Sequence, residues 1–238
     1  MEKINEELFL PKHIAIIMDG NRRWATGKGI FKLLGHKEGA ENLKRIAKYA
    51  NSIGIEYLTV YAFSTENWKR SKEEVTALMT LLKDNLIDYI NNYTGNIRIR
   101  VIGTDENISD DLKELIKRIQ EKTENNTGMT LNIAFNYGGR NEIVNTTKKI
   151  ASKVKNGELK IEEITEETFS QNIYTAGQPD PDLLIRTSGE ERISNFLLWQ
   201  IAYSEFYFTN KYWPEFSSED LDLAIKEFNQ RNRKFGGK

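Results

Sequence analysis

Six short apolar runs, each bounded by turn residues and alternating with amphipathic helical patterns, restrict this chain to a narrow set of folds. The runs are Ile14 to Met18, Tyr57 to Phe63, Ile97 to Ile102, Met129 to Phe135, Leu183 to Ile185 and Phe206 to Phe208. Between them, Leu43, Ile46, Ala47 and Ala50 in one stretch, and Val75, Leu78, Met79, Leu82, Leu86 and Ile90 in another, repeat at the spacing of a helix with one apolar face. Further helices are expected over Ser109 to Asn125, Gly139 to Lys155 and Ser218 to Asn232. The first and last of these open on a serine followed by acidic residues, which suit a helix amino end. Such alternation implies an α/β fold: a central, mostly parallel six-stranded sheet flanked by helices, with ligands beyond the carboxyl ends of its strands. At 238 residues, 39% of them apolar, the chain can bury one sizeable core, so 1–238 reads as a single domain with 1–12 as an amino-terminal extension.

Composition removes several function classes. Lysine and arginine number 34 against 35 acidic residues, so the chain lacks a nucleic-acid footprint, although cations can still gather around an anionic ligand. The absence of cysteine excludes disulfides and thiolate metal ligands and is compatible with a reducing cytoplasm. No signal-peptide pattern opens the chain and no apolar run approaches the roughly 18 residues of a membrane span, so a cytoplasmic protein is expected.

Three polar clusters follow the apolar runs. In the first, the run ending at Met18 leads into Asp19, Gly20, Asn21, Arg22, Arg23 and Trp24, a carboxylate and two guanidinium groups around a glycine that permits a sharp turn. This reads as a diphosphate and metal site, the alternative being a strand-turn-helix corner with Asn21 as helix cap and solvated arginines. In the second, Ser64, Thr65, Glu66, Asn67, Trp68 and Arg70 follow Phe63, either as a binding loop or as a capped entry to the next helix. In the third, Arg186, Arg192 and Ser194 leave the fifth run and suit charge-assisted binding of a diphosphate. His36, after Gly35, is a candidate phosphate contact or a helix-start residue, and Glu205 is a lone carboxylate in an aromatic stretch that wants a cation or an arginine. The acidic pair Asp110 and Asp111 follows Ser109 at an expected helix start and is set aside as a metal site.

On the stretches His13 to Ala25, Gly35 to Gly39, Tyr61 to Arg70, Asn132 to Arg140 and Asp182 to Trp213, the chain resembles the cis-prenyltransferases, the bacterial undecaprenyl diphosphate synthases in particular, from about His13 to Gly237. The resemblance implies a magnesium-dependent homodimer that couples farnesyl diphosphate with successive isopentenyl diphosphate units. The product would be undecaprenyl diphosphate, the lipid carrier precursor for cell-wall polysaccharide. It also implies a hydrophobic tunnel and peripheral contact with the inner membrane face for product release. Matched position by position, Asp19 becomes the magnesium carboxylate and Gly20 to Trp24, with His36 and Arg70, the allylic diphosphate loop. Ser64 to Trp68 match a second motif. There, Asn67 holds the position assigned to proton acceptance, although a neutral amide is a poor base and is better suited to orienting a group. Arg186, Arg192, Ile193 and Ser194 match the isopentenyl subsite, and Glu205 a second carboxylate tied to magnesium and the dimer interface. Lys32 and Lys234 stand where the family usually has arginines, keeping charge and losing bidentate geometry. The tunnel wall is expected from Val75, Leu78, Met79, Leu82 and Leu86 beside Ala62. A non-catalytic subunit of a two-component enzyme and a phosphate-binding hydrolase are the alternative readings.

Overall fold

The structure is a computed structural model, and it describes residues 9–231. Strand β1 (His13–Ile17) is buried at every position, which is why its sequence is a continuous apolar run without alternation. It is followed by α1 (Asn21–Gly27), α2 (Lys32–Ser52), β2 (Tyr57–Ser64), a 3-10 turn over Thr65–Lys69, and α3 (Lys72–Asn92). The chain continues through β3 (Arg98–Ile102), α4 (Asp110–Thr123), β4 (Thr130–Tyr137), α5 (Gly139–Lys155) and the short α6 (Glu166–Ser170). Strands β5 (Leu183–Arg186) and β6 (Glu205–Phe208) and helix α7 (Ser218–Asn229) complete it. The six strands form one sheet in the order β3-β4-β2-β1-β5-β6. Every pairing is parallel, so the expectation of a mostly parallel sheet sharpens to a wholly parallel one. Residues 156–168 hold only a 3-10 turn and the start of α6.

Two features of this frame position the cleft. Strand β2 carries an irregularity at Ala62: Tyr61 pairs with Ala134 and Phe63 with Phe135, so Ala62 is an extra residue that turns out of the ladder and lies exposed. Helix α2 meets α1 closely, since a Cβ at Gly35 would stand 2.1 Å from the Asn21 carbonyl oxygen and one at Gly39 2.3 Å from its Oδ1. The segment after β6 is locked onto α2 by buried Trp213, whose Nε1 donates to the Gly39 carbonyl at 2.8 Å, and by Asn42 Nδ2, which donates to the Trp213 carbonyl at 2.6 Å. The acidic pair set aside as a metal site opens α4, where Asp111 pairs with Lys83.

His13, fully buried on β1, makes a pH-dependent contribution to stability. Its Nδ1 donates to the Pro179 carbonyl at 2.7 Å and its Nε2 accepts from Thr59 Oγ1 at 2.7 Å, a neutral imidazole with both nitrogens used. Burial lowers its pKa from 6.5 to about 4. Below pH 6.5 the unfolded chain therefore takes up a proton that the folded chain refuses until about pH 4. Stability is complete above pH 6.5 and falls across that interval. Urea unfolding at stepped pH should show this decline, and His13→Gln should flatten its slope; an unchanged slope in a folded His13→Gln variant would remove the assignment.

Candidate active site

A polar cleft of about 710 Å³ lies beyond the carboxyl ends of β1, β2 and β5, where a parallel sheet of this kind binds ligands. Asp19 follows β1. Its Oδ1 accepts the Gly20 amide at 2.7 Å, while Oδ2 meets Arg186 Nη2 at 2.9 Å and Arg23 Nη2 at 3.4 Å. The chain can turn there because Gly20 sits at φ +102°, and a Cβ on it would stand 2.7 Å from Tyr212. Gly20, not Asn21, is thus the cap residue of α1.

Arg186 ends β5 with only 3% of its surface exposed. Its Nη1 donates to Ser194 Oγ at 2.8 Å and to the Arg192 carbonyl, and among the described residues its Nε has no partner. Ser194 and Asn195 are held at φ +47° and +65°, a strained turn beside the cleft. From β2, Ser64 and Asn67 close a reciprocal cap in which the Ser64 amide donates to Asn67 Oδ1 at 3.1 Å. That bond occupies the amide oxygen and leaves the NH₂ as what Asn67 offers the cleft, a donor and not a base.

On the opposite wall, His36 turns in from α2 with its buried Nε2 lacking a partner among the described residues. Burial lowers its pKa to about 4, with Arg70 and Arg22 adding to the effect and Glu74 opposing it, so the imidazole is neutral at pH 7. Lys32 opens α2 on the same wall. Arg22, Arg23, Lys32, Arg70 and Arg186 line the cleft together with Asp19, the one carboxylate of its wall among the described residues. In a chain of net charge −1 that surplus of cations makes an anion site.

Not every expected residue comes to the wall. Trp24 turns away and donates from Nε1 to Glu215 at 3.0 Å. Trp68 packs edge-on to Phe63 and donates to Asn136 Oδ1 at 2.7 Å, and Glu66 is held by Asn195 at 2.8 Å beside Thr65. Arg192 is exposed and paired with Glu190, and Ile193 packs against the buried cluster that holds Tyr137 and Phe196. Glu205 begins β6, level with Leu183 at the amino end of β5, so within one chain it lies at the opposite edge of the sheet from Asp19 and pairs with Arg231 at 2.8 Å. Lys234 lies outside the described residues.

Two carboxylates that sequence reasoning missed organise the cations. Glu74 meets Arg70 at 2.9 Å and Arg22 at 3.5 Å, and Glu190 bridges Arg23, at 3.0 Å, and Arg192. The first was discoverable as an i,i+4 pair across the start of α3; the second spans 167 residues and has no local signal.

Behind the polar cleft the wall turns apolar. A second cavity, lined by Leu43, Leu82, Leu86, Tyr89, Ile119 and Leu131 among others, shares Met18, Asn21, His36, Ala62, Phe63 and Leu78 with the cleft. Helix α3 explains it: of its 21 residues only Leu86 is buried, and its apolar stripe fronts the cavity instead of a packed neighbour. Of the expected wall residues, Val75 alone lies off the cavity.

The family model described as "Putative undecaprenyl diphosphate synthase" matches residues 17–236. A ditrans,polycis-undecaprenyl-diphosphate synthase from Micrococcus luteus, specific for (2E,6E)-farnesyl diphosphate, is 48% identical over 229 residues, 96% of this chain and 92% of that protein. An isoprenyl transferase from Fusobacterium nucleatum is 52% identical over 233 residues, 96% of each chain. The crystal structure of lavandulyl diphosphate synthase from Lavandula x intermedia, in complex with dimethylallyl diphosphate, matches with a TM-score of 0.90 at 40% identity, over 95% of this chain and 98% of that one.

Proposed function

The chain belongs to the undecaprenyl diphosphate synthase family of prenyltransferases, and from that premise we propose that it extends farnesyl diphosphate with isopentenyl diphosphate units, in cis, to undecaprenyl diphosphate. The observation that carries this reading is the cationic cleft opening through six shared wall residues into an apolar cavity, one end suited to a diphosphate and the other to a hydrocarbon. In this reading the enzyme is a cytoplasmic homodimer supplying lipid carrier for cell-wall polysaccharide.

The donor set fits magnesium in one way. No group of three or more acidic, histidine or cysteine side chains that could hold a metal occurs among the described residues, so a protein cage is absent there. A single carboxylate, Asp19, facing a diphosphate cleft is what magnesium uses when substrate oxygens and water complete its shell. Bound there, the ion supplies charge to offset the diphosphate as the allylic carbon–oxygen bond breaks.

The chain's own residues do the rest. Arg23, Arg70, Lys32 and the neutral His36 Nε2 hold the allylic diphosphate, and the cations stabilise the negative charge that its bridging oxygen takes with the bonding electron pair when the carbon–oxygen bond breaks. Arg186 and Ser194 fix the isopentenyl diphosphate, with Arg192 and Ile193 behind them, so that its double bond meets the allylic carbon from one side. Asn67 donates from its NH₂ to a substrate oxygen. Ser64, which lines the cleft beside Asn67, offers its hydroxyl to a diphosphate oxygen. The diphosphate then receives the proton lost from the newly joined unit.

Incubation with farnesyl diphosphate, labelled isopentenyl diphosphate and magnesium, followed by sizing of extracted products, tests the reading. A ladder ending at the undecaprenyl length supports it. Failure of the folded protein to incorporate label would favour the non-catalytic subunit, and phosphate release without chain growth the hydrolase. Product length offers a second test. Leu78 at the mouth and Tyr89 in the depth lie about 16 Å apart along α3, at about 1.5 Å per residue. Leu82→Trp should block the cavity between them, shortening products while the first condensation keeps its rate; an unchanged product length would show that the hydrocarbon runs elsewhere.

A further inference from the structure

In the turn between α1 and α2 and the first turn of α2 the chain exposes four large apolar side chains: Ile30, Phe31, Leu33 and Leu34, with Phe31 at 85% exposure. The backbone of the turn is held without them, since the Ile30 amide donates to the Ala25 carbonyl at 3.0 Å and the Leu34 amide to the Phe31 carbonyl at 2.9 Å. Their identity is therefore not explained by the fold, and an apolar group of this kind, side by side in one segment, marks a contact surface.

Two observations identify the partner. The first is charge: residues 20–37 carry Arg22, Arg23, Lys28, Lys32 and Lys37 and no carboxylate. With both arginines engaged by carboxylates at the cleft, the three lysines rim the patch, Lys28 with Glu215 at 3.8 Å behind it. The second is position: Thr26 and Lys32 line both the shallow apolar depression here and the diphosphate cleft, so the patch is continuous with the rim of the site. An aromatic and leucines on a turn ringed by lysines match a bilayer interface, apolar groups meeting the acyl boundary and ammonium groups the anionic headgroups. A second copy of the chain fits poorly. An isologous contact would bring the lysines against their own counterparts, and four side chains are few for the roughly 800 Å² per partner of a stable interface.

We infer that this turn docks the protein on an anionic lipid surface, with Phe31 and Leu34 as apolar anchors, and so presents the rim of the cleft to the bilayer. The inference rests on the prenyl-transfer reading for its purpose, delivery of a diphosphate lipid, but its test needs no substrate. The full chain is floated with vesicles of phosphatidylglycerol and phosphatidylcholine and with vesicles of phosphatidylcholine alone. Binding is expected to the anionic vesicles only, to weaken with salt, and to fall at least about tenfold in Phe31→Ser/Leu34→Ser. The double variant should keep its turnover in detergent, which shows that it is folded and that the loss is one of docking. Equal flotation of variant and native chain, or no flotation of an active native chain, overturns the inference and leaves the reaction standing. A dimer in lipid-free sedimentation that the same substitutions break would assign the patch to a second copy and overturn it too.

Discussion

Asp19→Ala is expected to lower turnover at saturating magnesium by at least about 10²- to 10³-fold, the loss seen when one preorganised charge-stabilising group is removed. The side chain sits where the proposal needs a carboxylate, oriented by the Gly20 amide on one oxygen and by Arg186 on the other. What anchors this corner of the fold is the backbone of Asp19 and not its carboxylate: its carbonyl accepts Thr187 Oγ1 at 2.7 Å and the Trp213 amide at 3.0 Å. The alanine variant should therefore fold, although the Arg186 guanidinium loses one acceptor. Asp19→Asn separates the two roles. An amide can still accept from Arg186, so stability should return toward the native value, but it brings no charge to magnesium, so turnover should stay low. Single-turnover incorporation of labelled isopentenyl diphosphate, alongside urea unfolding, measures both. Near-native turnover in either folded variant would strip Asp19 of the metal role.

The strands and most helices were legible because burial and period coincide in them. Helix α5 spans Gly139–Lys155 as its pattern predicts, and β1, β2 and β4 differ from their apolar runs by one or two residues at an end. The site was legible as three clusters because each follows a strand, and a parallel sheet gathers its carboxyl ends. Side-chain direction was not. Arg22, Arg23 and Trp24 are successive helical positions about 100° apart, so they cannot all face one cleft, and Trp24 is the one that turns to Glu215. Glu205 is the instructive case. It precedes its apolar run, whereas Asp19 and Arg186 follow or close theirs, and in a wholly parallel sheet that difference alone puts them at opposite edges. Any magnesium shared by Asp19 and Glu205 would need a second copy of the chain. Glu190 carried no such signal, because its pairing with Arg23 exists only once β1 and β5 are side by side.

Arg186→Met should reduce kcat/KM for isopentenyl diphosphate by roughly 10²- to 10⁴-fold. That range corresponds to two charge-assisted hydrogen bonds of about 1.5 to 3 kcal/mol each, at about 1.36 kcal/mol per tenfold. The guanidinium is buried at the end of β5 and its donors are already aimed: one at Asp19, one at Ser194, and an Nε without a partner among the described residues. A buried donor left unmatched is a cost that a bound diphosphate oxygen could remove. Methionine preserves much of the volume but strips Asp19 of its 2.9 Å partner, leaving Arg23 at 3.4 Å to hold the carboxylate. Because Asp19 is partly solvated, the stability loss should be modest, about 1–3 kcal/mol. Arg186→Lys keeps the charge and loses the fork, so it should recover stability more fully than catalysis. The discriminating readout is which substrate suffers. If Arg186 holds the isopentenyl diphosphate, KM for that substrate rises steeply while farnesyl diphosphate binding changes little; an equal loss for both would mean that Arg186 acts only by holding Asp19 in place.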